Sequence, residues 1–74
     1  MALTSTRRRF EFVGGNSAKF WELDIHGAQV TVCFGRIGSA GQSETKTFAD
    51  SAAAEKHADK KIKEKLAKGY HQVG

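Results

Sequence analysis

V-T-V-C-F-G-R-I-G-S-A-G-Q, residues 30–42 of this 74-residue chain, is a strand that runs into a turn punctuated by glycines. Successive side chains of a strand point to opposite faces, so Phe34 and Arg36 project from the same side. Gly35 between them leaves the other side bare, where another backbone or a partner could approach closely. The segment therefore places an aromatic ring and a guanidinium side by side, just before a tight turn.

Further strands are predicted on both sides of this segment. Apolar alternation and turn residues place the four strands at residues 7–13, 18–25, 29–37 and 42–48. The connections are short, which predicts an antiparallel meander. Residues 1–6 are predicted to be a frayed lead-in.

The periodicity changes to that of a helix after residue 48. Four apolar residues recur at every fourth position and form one stripe: Ala54, Ala58, Ile62 and Leu66. Asp50 or Ser51 can cap the helix start, because a side-chain oxygen there accepts from a free backbone N–H. Lys68 and Gly69 suit its end.

These elements predict an α+β domain, since the strands precede the helix. We expect a four-stranded antiparallel sheet with one C-terminal helix packed across one face, and a possible short final strand at residues 70–73. Such a short chain forms one domain, over residues 1–74 with an ordered core of about residues 7–73. The sequence leaves open which face of the sheet the helix covers.

The composition of the chain indicates which classes of partner to expect. The chain carries 12 Lys and Arg residues against 8 Asp and Glu, a net charge of +4, which mildly favours anionic partners. Cys33 is the sole cysteine, which excludes an internal disulfide and fits a reducing, cytoplasmic setting. No apolar run approaches the roughly 20 residues that span a bilayer, so no membrane contact is predicted.

Catalytic motifs are missing from the sequence. None of the three histidines has metal-ligand spacing to another or to Cys33, and no HExxH, CxxC or GxSxG occurs. The glycines at positions 35, 38 and 41 match neither a dinucleotide fingerprint nor a P-loop. Cys33 is more simply a buried structural thiol than a nucleophile. We therefore expect no enzyme, no metal, no cofactor and no small-molecule substrate.

Basic side chains offer several candidate contacts. Arg7, Arg8 and Arg9 cannot all face one way in a strand, but they would form a flexible basic arm if they preceded it. Lys65 borders the apolar stripe of the helix and could reach the sheet edge with its ammonium group.

Two interpretations of Phe34 and Arg36 remain open from the residues alone. In one, Phe34 lies on a surface and stacks on a base or sugar, while Arg36 binds a phosphate or a partner's carboxylate. In the other, Phe34 lies in the core under the helix and Arg36 emerges at the strand end. Cys33 and Ile37 lie on the face opposite Phe34 and could supply the helix-facing side instead, so alternation does not decide between the two interpretations.

The chain resembles the WGR domain family. Phe34-Gly35-Arg36, followed by Ile37-Gly38 and Gly41-Gln42, is similar to the family signature, with Phe in place of the first Trp. The likeness extends to Lys19-Phe20-Trp21-Glu22-Leu23, to Thr47-Phe48-Ala49-Asp50 and to the helix end at residues 64–70. It covers roughly residues 8–73.

This resemblance implies that position 34 and Arg36 face a nucleic acid or a neighbouring domain. We accordingly expect a non-catalytic module, of a small stand-alone bacterial protein, that contacts DNA backbone or strand ends without sequence specificity, and DNA rather than RNA. The alternative is a protein-interaction adaptor that uses the same Phe34 and Arg36 surface. The predicted contact residues are Phe34, Gly35, Arg36, Lys65, Arg7, Arg8 and Arg9.

Overall fold

Five strands and one helix make up the part of the chain that the computed structural model describes, residues 5–73. The strands are β1 (Ser5–Gly14), β2 (Ser17–His26), β3 (Gln29–Arg36), β4 (Gln42–Thr47) and β5 (His71–Val73), and the helix is α1 (Ser51–Ala67). The predicted α+β class is confirmed. Within residues 5–73, no helix has the length and apolar character needed to cross a membrane.

The strands form one antiparallel sheet in the order β4-β3-β2-β1-β5. The first four strands are the predicted meander, and β5 is the predicted final strand, which pairs with β1 opposite Arg9–Glu11. The frayed lead-in predicted for residues 1–6 is wrong at residues 5 and 6, because β1 already begins at Ser5. The rest of that lead-in, residues 1–4, lies outside the described residues.

The register of β2 and β3 decides which face of the sheet is apolar. Trp21 lies opposite Phe34, and Leu23 lies opposite Val32. Directly opposed side chains share a face, so this pairing makes a continuous apolar surface. The helix packs on that face, with a core of Phe10, Trp21, Leu23, Val30, Ala54, Ala58 and Ile62. The helix therefore covers the Phe34 side of the sheet, which the sequence had left open.

Asp50, one of the two predicted caps, precedes the helix and caps its first turn. Its carboxylate oxygen Oδ1 accepts a hydrogen bond from the backbone N–H of Ala53 at 2.8 Å. This bond satisfies one of the N–H groups that have no partner inside the helix, and such caps contribute about 1 kcal/mol.

Leu66 departs from the predicted apolar stripe, because 48% of its surface is exposed, against 5% for Ile62. With 3.6 residues per turn, each four-residue step rotates a stripe by about 40° around the helix axis. Leu66 has therefore turned away from the sheet. Lys65 lies eleven residues after Ala54, about three full turns, and so faces the sheet instead.

The predicted close approach at Gly35 occurs, and the approaching backbone is the chain's own. A Cβ added at Gly35 would lie 2.8 Å from the Cα of Gly41, and a Cβ at Gly41 would lie 2.7 Å from the ring of Phe20. The turn at residues 37–41 is thus folded against the outer face, the one away from the helix. Phe20 is only 5% exposed there. Cys33, expected to be buried, is half-buried on the same face.

Candidate functional site

A groove of about 620 Å³ lies on the helix side of the sheet. The helix packs on β2 and β3, which leaves the inner side of β4 open as one wall. Side chains of β2 and β3 supply the floor, among them Trp21, Val32 and Phe34, and the C-terminal half of α1 supplies the other wall. The groove brings together four of the predicted contact residues: Phe34, Gly35, Arg36 and Lys65.

Phe34 satisfies parts of both interpretations. Its ring packs against the core, as the structural interpretation predicted, but it is half-buried and lines the groove. Trp21, directly opposite on β2, is only 5% exposed. Phe34 therefore combines a fixed position with an accessible part, which a stacking platform requires.

Arg36 lies at the end of β3, beside Phe34 and opposite Lys19. Its backbone carbonyl accepts hydrogen bonds from the Ser39 hydroxyl at 2.7 Å and from the Ser39 N–H at 3.0 Å, which fixes the strand end. The Arg36 side chain is exposed, and among the residues described here its guanidinium makes no ion pair. It is available to bind an anion through two parallel hydrogen bonds.

Lys65 reaches into the groove from α1. Its Nζ lies 5.6 Å from the ring centroid of Trp21 and 5.2 Å from that of Tyr70, within the range of cation–π attraction. Burial lowers the pKa of Lys65 below its ordinary value, and the neighbouring charges of Lys68 and Lys61 lower it further. Binding of an anion nearby would therefore stabilise the charged form of Lys65.

The net positive charge of the chain lies on the side chains that line this groove. Its lining holds six basic and two acidic side chains: Lys19, Arg36, Lys46, Lys61, Lys65 and Lys68, with Glu44 and Glu64. The remainder of the chain carries six basic and six acidic residues. The whole net charge of +4 therefore belongs to the groove, where its walls focus the field on an anionic ligand.

The three arginines at residues 7–9 are not part of the groove lining. They belong to β1, which excludes the flexible-arm alternative, and Arg7 is exposed on the outer face. Arg8 points to the helix side, where it donates a 2.8 Å hydrogen bond to Gln72 and lies 5.5 Å from the ring of Phe10. The contact role predicted for these arginines stays a prediction.

Arg9 is held by several partners on the outer face. Its guanidinium forms ion pairs with Glu22 at 2.6 Å and Glu11 at 3.0 Å, and lies 4.7 Å from the ring centroid of Phe20. The hydrogen bonds to Glu22 and Glu11 raise the pKa of Arg9. These contacts give Arg9 a structural role in joining β1 to β2.

Sequence reasoning missed several groove residues, above all Lys19 and Tyr70. The signal for Lys19 was present, because pairing β2 with β3 outward from the turn at Gly27 places it opposite Arg36. Tyr70 follows the helix end, where its N–H donates to the carbonyl of Lys65 at 3.1 Å. The sequence predicted the short strand that follows, but it did not indicate that the Tyr70 ring would lie beside Lys65.

The fold and the groove can now be compared with known proteins. The family model of the WGR domain matches residues 6–74. The chain belongs to the WGR domain family. WGR domains are generally linked to nucleic-acid binding and are typically non-catalytic modules.

Three bacterial proteins illustrate the relationship. The uncharacterised Escherichia coli protein YfeS is 36% identical over 66 residues, which is 89% of this chain and 27% of YfeS. The E. coli protein YehF is 40% identical over 63 residues, or 85% of this chain and 23% of YehF. A crystal structure from Bacteroides fragilis superposes with a TM-score of 0.91 at 40% identity, covering 93% of this chain and 20% of that one. The chain thus spans about a quarter of the length of each curated relative.

Proposed function

We propose that this WGR domain binds DNA in the groove, through backbone and strand ends, and that it acts by binding rather than by catalysis. Phe34 stacks on an exposed base or sugar, while Arg36 and Lys65 contact phosphates. The observation that carries the proposal is the position of the whole net charge around one half-buried aromatic ring. The single thiol, Cys33, suits a reducing cytoplasmic compartment.

The energies of these contacts fit a binding module. Stacking of one base on an aromatic side chain contributes about 1–3 kcal/mol and tolerates any base. Each phosphate that a Lys or Arg neutralises releases counterions, so that binding weakens as salt rises. Contacts of both kinds recognise a strand or its end without reading a sequence.

Phenylalanine at the first position of the motif lowers the expected affinity. Compared with tryptophan, Phe34 lacks an indole N–H donor and offers less stacking area. The geometry of the strand is unaffected by this difference. We therefore expect Phe34→Trp to bind DNA more tightly than the wild type, provided that circular dichroism shows the same fold.

Fluorescence anisotropy with labelled single-stranded, blunt duplex and nicked duplex DNA, and a matched RNA strand, tests the proposal. The variant Arg36→Ala removes a groove cation, and the control Lys63→Ala removes a cation from an exposed position of α1 outside the groove lining. We expect salt-dependent binding that Arg36→Ala weakens by about tenfold, as for one charged hydrogen-bonded contact, and that Lys63→Ala leaves nearly unchanged.

Other outcomes have defined meanings. Equal losses in both variants would indicate a general charge effect and would contradict a site in the groove. Tighter binding of RNA would contradict the preference for DNA. No binding at low salt would replace the proposal with the adaptor function, in which an acidic protein surface meets Phe34 and Arg36.

A further inference from the structure

Glu44 is a carboxylate in a groove that is lined mainly by cations. It is exposed on the inner face of β4 and forms no ion pair within residues 7–73. The other acidic residue of the groove, Glu64, forms an ion pair with Lys61, with 3.6 Å between Oε1 and Nζ. A free carboxylate repels phosphates, so it weakens nucleic-acid binding unless it meets a part of the ligand that donates hydrogen bonds.

The sheet register places Glu44 next to the Phe34 ring. Phe34 lies opposite Gln42 and Val32 lies opposite Glu44, so Glu44 is the diagonal neighbour of Phe34 on the same face. Diagonal neighbours are about 7–8 Å apart, within reach of long side chains. Arg36 lies in the other direction along β3 from Phe34, so Arg36 and Glu44 are on opposite sides of the Phe34 ring.

We propose, on the basis of the function proposed above, that Glu44 selects the base that stacks on Phe34. With the phosphates drawn toward Arg36, the free edge of that base faces β4. A carboxylate there accepts a hydrogen bond from an exocyclic amino group, which cytosine carries at N4, adenine at N6 and guanine at N2. Among the pyrimidines, thymine and uracil carry an O4 carbonyl where cytosine carries its amino group, so two acceptors face each other there and only the neighbouring N3–H is left to donate.

Gln42 strengthens the preference for cytosine over the other pyrimidines. It is exposed directly opposite Phe34, and its side-chain amide can donate as well as accept. Next to its N4 amino group, cytosine presents N3 and O2 as acceptors. Glu44 and Gln42 together therefore complement the donor and acceptors of one unpaired cytosine. Reading that edge requires single-stranded or frayed DNA, because pairing in a duplex would hide it.

Octamers of deoxycytidine and deoxyuridine, labelled alike, provide the test. Their pyrimidine rings offer similar stacking area and differ at position 4 and in the proton at N3. At low salt and a pH of about 8, which keeps cytosine unprotonated, we expect the wild type to bind the cytosine octamer at least about threefold more tightly. This factor corresponds to one net hydrogen bond of moderate strength.

Two variants test whether Glu44 is the residue that causes the preference for cytosine. Glu44→Gln removes the charge but keeps the shape, and its amide can donate to O4. We expect it to bind both octamers more tightly than the wild type and nearly equally to one another. The matched control is Glu55→Gln, the same change on an exposed helix position outside the groove, which should keep the cytosine preference.

The results of these binding measurements distinguish base selection by Glu44 from the DNA-binding function on which it rests. Equal binding of the two octamers by the wild type, with a loss in Arg36→Ala, would overturn base selection and leave the DNA-binding function intact. A cytosine preference that survives in Glu44→Gln would overturn the role of Glu44. Failure of both octamers to bind, or binding indifferent to Arg36→Ala, would overturn both proposals.

Discussion

The Nζ of Lys65 lies 5.6 Å from the ring centroid of Trp21, a residue that is itself only 5% exposed. The pKa of Lys65 is lowered, first by burial and then by Lys68 and Lys61. A lysine whose pKa is lower in the folded state than in the unfolded state binds fewer protons when folded. Its charged form therefore opposes folding below the folded pKa, and stability rises as pH increases from there toward the ordinary value of 10.5.

We predict that Lys65→Met leaves the free energy of unfolding unchanged or slightly higher at neutral pH. Methionine is one atom shorter than lysine, but its apolar chain can pack on Trp21 and has no charge to desolvate. The stability advantage should shrink as pH rises toward 10.5. The same variant should bind single-stranded DNA more weakly, with a salt slope reduced by about 0.7 for one lost phosphate contact. Urea unfolding at two pH values and a salt titration of binding measure both effects.

Lys63→Met is the control for that variant, because Lys63 is exposed on α1 outside the groove lining. It removes the same charge from the same helix and should leave the salt slope nearly unchanged. A clear loss of stability in Lys65→Met would mean that cation–π attraction outweighs the cost of burial. Equal slopes in the two variants would contradict a phosphate contact at Lys65.

The rotation of the helix stripe gives a second prediction. Ile62→Ala should lower the free energy of unfolding by about 2–5 kcal/mol, since Ile62 is 5% exposed and its removal leaves a cavity. Leu66→Ala should lower it by less than about 1 kcal/mol, because Leu66 is 48% exposed. Both changes introduce alanine into the same helix, so helix propensity contributes little to the difference. Similar losses in urea unfolding would contradict the orientation of the helix C-terminal half.

The fold was predictable because its signals are local. Alternation in the strands, short turns and the cap at Asp50 each follow from a few neighbouring residues, and all agree with one α+β arrangement. The error at Leu66 arose from counting in fours along a helix of 3.6 residues per turn, which accumulates over three turns. The extension of β1 to Ser5 depends on its pairing with His26, a contact distant in sequence.

The groove was only partly predictable, since it depends on where the helix lies across the sheet. Phe34 and Arg36 share a face by strand alternation, and that much follows from the sequence. Tyr70 joins Lys65 only because the chain returns after the helix to add β5 beside β1. Arg9 and Glu11 share a face by strand alternation, and the register of the β1–β2 hairpin places Glu22 opposite Arg9.

His57 provides a pH-dependent prediction. Its ring lies 4.8 Å from that of Phe48, and its pKa is lowered by burial first and then by Lys46, Lys61 and Lys60. With the folded pKa below the ordinary 6.5, the unfolded state binds the proton more readily, so stability falls as pH decreases through 6.5.

Urea unfolding at pH about 7.5 and about 5.5, on either side of the ordinary histidine pKa, measures this effect. We expect the wild type to lose more stability across that interval than His57→Gln, which cannot titrate. Carboxylates titrate in both proteins and cancel in the comparison. Equal losses of stability in the two proteins would mean that His57 binds a proton as readily in the folded state as in the unfolded state, which would contradict the prediction.

The turn against Phe20 gives the last prediction, which separates backbone strain from steric clash. Gly15 and Gly41 both have positive φ, at 57° and 74°, but a Cβ meets nothing within 4 Å at Gly15 and lies 2.6 Å from the Phe34 carbonyl oxygen at Gly41. Gly15→Ala should therefore cost about 1–2 kcal/mol of stability for φ alone. Gly41→Ala should cost more, because the turn must also move away from Phe34 and Phe20. If urea unfolding gave equal losses, the turn would be free to shift, and its packing over the outer face would not hold the end of β3 in place.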